Sequence, residues 1–600
     1  MQEVASAAER AAVERITGPP DSGWHGGERS RLDDHVAFGG VQAAQARRHL
    51  LLPALAEVQS SIGWISPGAL DYVCARLTVP PAEAYGVATF YALLSTTPLP
   101  PVVIHVCDDI CCRERGAAGL IEALEERLGP ERSSDGEATW VRSPCLGQCD
   151  RAPAVFVQRA GQDDVVLAPA TPEAIEAVLA GQAEQDGFAN PPTIGGTKRL
   201  LRRVGVVDPG SLQSYRKAGG YEALTAAVEM GAAGVLDEVD ASGLRGRGGA
   251  AFPAAVKWKA VAESADATRY LICNADESEP GTFKDRVLME GDPFALIEAM
   301  TIAGFAVGAT RGYLYIRGEY PLARQRIEEA IAATRSAGLL GDDVAGHGFA
   351  FDIEVRSGQG AYICGEETAL MNSIEGKRGE PRNKPPFPTV EGLFGKPTVI
   401  NNVETLANVL DIVTDGGEAF AAIGTADSSG TKLFCLSGSV ATPGVYEVPF
   451  GTTLGELIGL AGGARGTIQM ALLGGAAGSF VGPEHLDLPL TFEDTRTAGV
   501  ALGSGVVMLF DDTARPADIA RRIAQFFRDE TCGQCVPCRV GTVRLEETLA
   551  KHLDGGEPLN TGLINDIDAA MKDASICGLG HTAGVAIQSL IGQGLLGGPA

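Results

Sequence analysis

The sequence predicts a multidomain α/β protein, and three observations predict it. The chain has 600 residues, too many for one hydrophobic core, so about three or four domains are expected. Apolar runs of strand length alternate with segments of helical period through most of its length. Cysteines gather at ligand spacing in two places, residues 107–149 and residues 532–577. Composition is otherwise that of an ordinary globular protein, 45% hydrophobic and 21% charged, with 77 glycines marking turns and close backbone approaches.

Charge and hydropathy exclude several classes. A formal net charge of −27 argues against nucleic-acid binding and against an anionic membrane surface, since both need concentrated Lys and Arg. The start, MQEVASAAERAAVERITG, has no apolar core of a secretory signal. The most apolar helical stretch, ALIEAMTIAGFAVGA (295–309), is too short for a bilayer and contains Glu298. These features predict a cytoplasmic protein without direct membrane insertion. Its 13 cysteines are then not expected as disulfides, and eight of them, in two groups at ligand spacing, are expected as metal or cluster ligands.

In chain order, residues 1–40, rich in Gly, Ser, Ala and charge, read as a flexible arm with room for one short helix. Residues 41–99 show helical apolar periodicity broken by Gly and Pro. PPVVIHVCDD, the helical GAAGLIEALEERLG, ATWVRSP and PAVFVQ make a small α/β unit over residues 100–180. The polar Gly/Pro-containing stretch 181–199 is a linker. Over residues 200–425, helices such as YEALTAAVEMG alternate with strands RYLICNADE, GYLYIRGEY and AFDIEVR. KLFCLSGSVATPGVYEVPFGTTLGELIGLAGG, with two short strands and a helix, predicts a β-grasp-like module over residues 430–510. Residues 515–600 read as helical.

Each cysteine group suits several chemistries on spacing alone. CDDICC and SPCLGQCD give C-x4-C, Cys107 and Cys112, followed by C-x3-C, Cys145 and Cys149. Four thiolates in that unequal pattern suit a [2Fe–2S] cluster better than zinc, which usually takes C-x2-C pairs. Adjacent Cys111 and Cys112 point to different sides, so Cys111 is read as a bystander. ETCGQCVPCRVGT places Cys532, Cys535 and Cys538 in a C-x2-C-x2-C run, and Cys577 in DASICGLGHTAG is the only cysteine after it. Zinc, a redox dithiol and an iron–sulfur cluster stay open for that run.

Between the cysteine groups lie three stretches of binding character. GLRGRGGAAFPAAVKW (243–258) is a glycine-rich turn before a helix start. Gly246, Gly248 and Gly249 suit either a phosphate cradle or a plain turn, and Arg247 and Lys257 add cations. CNADESEPGTFKDR (273–286) places Asn274, Asp276, Glu277 and Glu279 at a strand end, which suits either a solvated acidic loop or a ligand site, since ligands of open α/β sheets bind there. GQGAYICGEETALMNSIEGKRGEPRNKPPFP (358–388) carries Tyr362, Gly365, Glu366, Glu367, Lys384 and Phe387, an aromatic platform with hydrogen-bonding groups for a flat heteroaromatic ring. Cys273 and Cys364 lie in apolar runs and read as core.

C-x4-C and RSPCLGQCDRAPAV after a helical lead-in resemble the thioredoxin-like [2Fe–2S] subunit of respiratory complex I and related NAD-linked enzymes. The three binding stretches, with INNVETL (400–406) and ETCGQCVPCRVG, resemble the NADH-binding flavoprotein subunit of the same enzymes, in family order over about residues 200–590. The resemblance implies a thioredoxin-like domain, a Rossmann-like FMN/NADH domain, a β-grasp domain and a C-terminal helical bundle. It implies Cys107, Cys112, Cys145 and Cys149 as [2Fe–2S] ligands, and Cys532, Cys535, Cys538 and Cys577 as [4Fe–4S] ligands. FMN would be lined by Gly246, Arg247, Gly248, Gly249, Lys257, Asn274, Asp276, Tyr362, Gly365, Asn401 and Asn402. NADH would face Phe252, Glu279, Glu366, Glu367, Lys384 and Phe387. Thr531 stands where the family usually has Ser, and Ala251 where Gly is common.

The function so implied is a diaphorase subunit. FMN exchanges a hydride with NAD(H), and the iron–sulfur centres handle single electrons, so the flavin converts between the two. Glu279 and Glu367 are candidates for tuning charge, and no protein group is assigned as nucleophile. The other half-reaction belongs to a partner iron–sulfur subunit. Fusion of both modules in one chain ranks molybdenum or tungsten formate dehydrogenase first, nickel–iron hydrogenase second and a fused complex I subunit third. A flavin-less scaffold is the non-enzyme alternative.

Overall fold

The computed structural model describes residues 4–20, 46–133, 135–182 and 198–596. Residues 21–40 of the expected arm and 183–197 of the expected linker lie outside them. The beginning of the arm is not loose. Helix Ala7–Thr17 opens with a capping box between Ser6 and Glu9 and buries Ala12 and Val13 completely. It packs on helices Leu51–Ile62 and Pro67–Leu77, and Thr17 takes a bond from buried Arg76. This is the one short helix for which the arm had room.

The first α/β unit is a four-stranded mixed sheet of order β2-β1-β3-β4, formed by β1 (Val102–Cys107), β2 (Ala138–Ser143), β3 (Val155–Arg159) and β4 (Val165–Leu167). β1 runs parallel to β2 and antiparallel to β3. Its core holds Ile104, Val106, Trp140, Val155 and Val157 with Leu120 and Leu124 of helix Ala117–Leu128.

The central unit is a parallel sheet of order β7-β6-β5-β8, from β5 (Tyr270–Ala275), β6 (Arg311–Ile316), β7 (Asp352–Ser357) and β8 (Thr398–Asn402). Burial on both faces explains the continuous apolar runs of β5 and β6. Helix Pro293–Val307 packs on β5 and β6, and helix Val403–Asp415 on β5 and β8. The apolar stretch at 295–309 is therefore a core helix. Its Glu298 is buried and accepts from Tyr215 Oη (2.5 Å) and from the N–H groups of Tyr221 (2.7 Å) and Leu224 (2.9 Å). Among the described residues no helix is long and apolar enough to cross a membrane.

A third sheet has the order β10-β9-β13-β11-β12: β9 (Thr431–Gly438), β10 (Gly444–Pro449), β11 (Ile468–Leu473), β12 (Ser479–Val481) and β13 (Val506–Asp511). The two strands and helix read from residues 432–463 are β9, β10 and helix Leu454–Leu460. The parallel β9–β13 pairing and two antiparallel strands complete the sheet from later sequence. The chain then turns helical, beginning with Pro516–Glu530, whose Ile519, Ile523, Phe526 and Phe527 form one buried face. Helices Val536–Leu553, Thr561–Ala574, Gly578–Thr582 and Val585–Gly592 follow.

Candidate functional site

A cavity of about 1090 Å³ opens beside the carboxyl ends of β5 and β8. One wall is the glycine-rich turn. Gly246 N–H donates to Phe252 O at 2.9 Å and Arg247 N–H to Thr405 Oγ1 at 2.8 Å, which curl the turn against helix Val403–Asp415. Gly249 has φ +120°, a conformation open mainly to glycine, and a Cβ on Gly248 would come 3.1 Å from Asn402 Cβ. Helix Ala254–Ala262 then starts without a side-chain cap; its Ala254 N–H donates to Leu244 O at 2.9 Å, and the N–H groups that follow in the first turn have no capping side chain.

The opposite wall comes from β5, β8 and residues 365–388. Asn274 donates to Gly365 O at 2.9 Å, and Trp258 Nε1–H donates to Asn401 Oδ1 at 2.7 Å. Asn402 is fixed at both ends of its amide, donating to Asp285 at 2.6 Å and accepting from buried Lys284 at 3.3 Å. Glu367 accepts from Lys257 at 2.9 Å and Lys384 at 2.8 Å. Burial would raise its carboxyl, but the two ammonium groups overcome that and hold it below the usual range. Glu366 caps helix Glu367–Ile374 through the N–H groups of Thr368 and Ala369. Phe252 and Phe387, 48% and 55% exposed, stand at the mouth as unpacked aromatic plates.

Of the expected FMN and NADH residues, Gly246, Gly248, Lys257, Asn274, Gly365, Asn401, Asn402, Phe252, Glu366, Glu367, Lys384 and Phe387 share this cavity. Five do not line it: Arg247, Gly249, Asp276, Tyr362 and Glu279. Arg247 faces the other way, fully buried over the Phe450 ring and bonded to the carbonyls of Arg245 and Ser429. It holds the turn to the third sheet and is no cation for a ligand in the cavity. Asp276 lies behind Gly365, and burial pushes its carboxyl up to about 8. Tyr362 and Glu279 bond to each other at 2.6 Å.

One stretch of the wall escaped the sequence reading. Asp573, Ala574, Ser575, Ile576, Cys577, Gly578 and His581 also line the cavity. The cysteine in DASICGLGHTAG was the only local signal.

A second, small cavity is lined by Cys532, Cys535, Cys538 and Cys577 with Thr531, Gln534, Ile363, Pro381, Ile576 and Leu579. Cys535 starts helix Val536–Leu553, Cys538 lies one turn in, and Cys577 precedes helix Gly578–Thr582. Burial pushes the Cys538 and Cys577 thiols up to about 12 and 11. Four thiolates lining one cavity would need a cationic centre, and by chemistry four cysteines are the donor set of an iron–sulfur cluster; among the described residues no group of side chains is gathered to hold a single metal ion.

The third site is buried between domains. Cys107 ends β1, Cys112 lies in helix Ile110–Glu114, and Cys145 and Cys149 lie on the turn after β2, with Sγ atoms 3.4 Å apart. All four are at most 4% exposed. Asp109 accepts from the N–H groups of Ile110 and Cys145 and joins the two halves. Two buried arginines of the central unit grip the turn: Arg317 donates to Cys145 O at 2.7 Å, and Arg286 to Gly147 O at 3.0 Å and Asp150 at 2.7 Å. Four convergent thiols, enclosed and without a disulfide, fit a [2Fe–2S] cluster. The thiol of Cys111, read as a bystander, donates to Cys149 O at 3.5 Å.

Comparison with known proteins agrees with this arrangement in order and extent. Residues 40–183 match the thioredoxin-like [2Fe–2S] ferredoxin family, 239–411 the Nuo51 FMN-binding domain, 433–469 the SLBB domain, and 518–593 the NADH-ubiquinone oxidoreductase-F iron–sulfur binding region. The chain is 45% identical over 386 residues to the HndC component of the NADP-reducing hydrogenase of Solidesulfovibrio fructosivorans, covering 64% of this chain and 78% of that protein. It is 45% identical over 395 residues to the NuoF-type component of the NADH-quinone oxidoreductase of Aquifex aeolicus, covering 65% and 91%. A chain of the NAD+-reducing [NiFe]-hydrogenase, solved in the air-oxidized state, superposes with a TM-score of 0.78 at 35% identity, covering 92% of this chain and 94% of that one.

Proposed function

The chain belongs to the NuoF-type family of NADH-quinone oxidoreductase components and their hydrogenase relatives, with a thioredoxin-like [2Fe–2S] ferredoxin in the same polypeptide, and we propose that it is the NAD(H)-reacting diaphorase subunit of a larger complex. It is an oxidoreductase whose domains are of the FMN-binding, [2Fe–2S] and [4Fe–4S] types. The observation that carries the reading is Cys577, which lines both the large cavity and the four-cysteine cavity. A flavin site and a one-electron site sharing one wall suit conversion between hydride and single-electron transfer.

In this reading FMN lies along Gly246, Gly248, Lys257, Asn274, Gly365, Asn401 and Asn402, and NAD(H) enters at the mouth. When bound, FMN supplies hydride exchange with nicotinamide and single-electron exchange with iron–sulfur centres. The chain's own groups supply placement. Asn401 and Asn402, pinned by Trp258, Asp285 and Lys284, offer fixed polar edges. Lys257 and Lys384, joined through Glu367 and with Lys384 also paired to Glu366, set a charge-balanced polar edge with ammonium donors for a ligand oxygen. Phe252 and Phe387 are positioned to cover a planar base and exclude water. Arg247, Gly249, Asp276, Tyr362 and Glu279 support these groups from behind. Cys107, Cys112, Cys145 and Cys149 hold the [2Fe–2S] cluster, and Cys532, Cys535, Cys538 and Cys577 the [4Fe–4S] cluster. The central sheet is Rossmann-like, the third sheet β-grasp-like and the last helices a bundle, with divisions near residues 41, 100, 200, 430 and 515.

The partner is a catalytic iron–sulfur subunit of a cytoplasmic complex. The near-full-length likeness to a NAD+-reducing [NiFe]-hydrogenase chain favours hydrogen as the donor. Formate dehydrogenase rests on the resemblance of the fusion alone. Purifying the native complex and measuring NAD+ reduction with hydrogen and with formate, alongside nickel, molybdenum and tungsten content, separates them. The diaphorase reading itself requires a yellow protein whose flavin absorbance bleaches with NADH. A colourless, zinc-containing protein refutes it.

A further inference from the structure

Three asparagines line the large cavity, and in each the carboxamide oxygen is already bonded within the protein. Asn401 Oδ1 accepts from the indole N–H of Trp258 at 2.7 Å. Asn402 Oδ1 accepts from the Glu404 N–H at 3.0 Å and from the Lys284 ammonium at 3.3 Å. Asn274 Oδ1 accepts from the Asp276 N–H at 3.1 Å. The nitrogens are only partly used, since each carries two hydrogens. Asn402 Nδ2 gives one to Asp285 at 2.6 Å, and Asn274 Nδ2 gives one to Gly365 O at 2.9 Å. Asn401 Nδ2 donates to no described residue.

The partners that fix these amides stand behind the wall. Trp258 and Lys284 are fully buried, and the Lys284 ammonium is held by Asp285 at 2.6 Å and Glu404 at 3.1 Å. A carboxamide can turn over and exchange its oxygen with its nitrogen. Turning Asn402 over would set its NH2 against an ammonium and its oxygen against a carboxylate. Turning Asn401 over would set its NH2 against the indole N–H, and turning Asn274 over would bring its oxygen onto Gly365 O. Each leaves buried polar groups without partners, which costs about 1–3 kcal/mol per group. All three amides are therefore held in one chemical sense, with N–H groups left over for a ligand.

We propose that this wall is a row of fixed hydrogen-bond donors that holds the reduced, anionic isoalloxazine ring more tightly than the oxidised one, with Trp258 the positioning residue for Asn401. The inference rests on the reading of the large cavity as the flavin site. Uptake of two electrons and one proton leaves a negative charge on the ring, and a hydrogen bond to a charged acceptor is about twice as strong as one to a neutral acceptor. A donor fixed beforehand gains that difference without reorganising. The wall thus raises the two-electron potential of the bound flavin.

The test uses the full chain loaded with FMN. The readouts are the flavin midpoint potential in an anaerobic titration and the infrared carbonyl stretches of the oxidised ring, with both cluster signals as the control for folding. Trp258→Phe removes the indole donor and frees Asn401 to turn over. It is expected to weaken binding of the reduced form about tenfold relative to the oxidised form, which lowers the potential by about 30 mV for a two-electron couple. A ring carbonyl stretch should rise as its donor is lost. Asn401→Asp keeps the shape and the bond from Trp258 but replaces the outward N–H groups by a carboxylate oxygen. Its potential should fall further, by about 60 mV for a hundredfold change. An unchanged or raised potential in either variant, with both cluster signals present, overturns the proposal. A Trp258→Phe chain that loses FMN and both cluster signals has not folded, and Asn401→Asp then decides by the same criterion. A wild-type chain that binds no FMN would instead refute the underlying reading of the cavity.

Discussion

Tyr362 donates its phenolic hydroxyl to Glu279 Oε2 at 2.6 Å, while the Ala477 N–H donates to Glu279 Oε1 at 3.0 Å. The carboxylate thereby ties together the loop after β5, the turn before helix Glu367–Ile374 and the β11–β12 connection. A Cβ on Gly475 would fall 2.3 Å from Glu279 Oε1, so the connection can approach only as glycine. The residue expected to face the nucleotide is a clamp between domains.

The clamp makes stability depend on pH. Burial pushes Glu279 up to about 7, against the lowering effect of its hydrogen bonds. A carboxyl raised on folding contributes stability that is full below its unfolded value and is lost as pH rises through the folded one. Stability therefore falls between about pH 4.5 and 7. Buried Asp276 and Glu277, each raised to about 8, add to the loss with the same sign. Glu279→Gln should flatten part of the slope, and Tyr362→Phe should move Glu279's share to higher pH. Urea midpoints of the flavin-free chain across that range check both. An unchanged slope in Glu279→Gln would contradict the assignment.

A second prediction concerns Arg286, 2% exposed and shared between Gly147 O, Asp150 and Glu290. Arg286→Met leaves two buried carboxylates without their cation, a change that costs about 3–5 kcal/mol. The turn carrying Cys145 and Cys149 should detach from the central unit. The expected readouts are faster proteolysis between the two domains and a weakened [2Fe–2S] signal, with FMN content retained. Arg286→Lys keeps the charge but not the planar fork, and should fall between wild type and Arg286→Met.

What the sequence disclosed depended on how local each signal was. Strands β1, β5, β6 and β7 were legible because a short apolar run between turn residues is a local property. The four cysteines of the small cavity were legible because three sit within seven residues and one cysteine alone follows. The facing of loop side chains was not. Arg247 lies between cavity-lining glycines, yet turns its guanidinium onto Phe450, because a tight turn reverses side-chain direction from one residue to the next.

Gly248 offers a test of the large cavity that leaves the fold intact. Its Cβ would come 3.1 Å from Asn402 Cβ, close enough to press on the fixed amide. Gly248→Ala should weaken FMN binding roughly tenfold, and Gly248→Val should abolish it. Flavin fluorescence titration of the stripped protein measures both, and the two cluster signals should remain. Full FMN affinity in Gly248→Val would remove the glycine turn from the flavin site.

The wall at Cys577 separates the two halves of the proposed reaction most cleanly. Its segment faces the large cavity on one side and the other three cysteines on the opposite side. Cys577→Ala removes one of four thiolates, so the [4Fe–4S] cluster should be lost, while the asparagines, lysines and aromatic plates of the large cavity are untouched. NADH should still bleach the flavin, and a soluble two-electron acceptor should still be reduced. Transfer of electrons to or from the partner subunit should fall by orders of magnitude, because the one-electron stop adjoining the flavin is gone. If partner-linked NAD+ reduction persisted in Cys577→Ala with the [4Fe–4S] signal absent, electrons would have to leave through the buried Cys107–Cys149 site instead. That outcome would reverse the roles assigned to the two clusters.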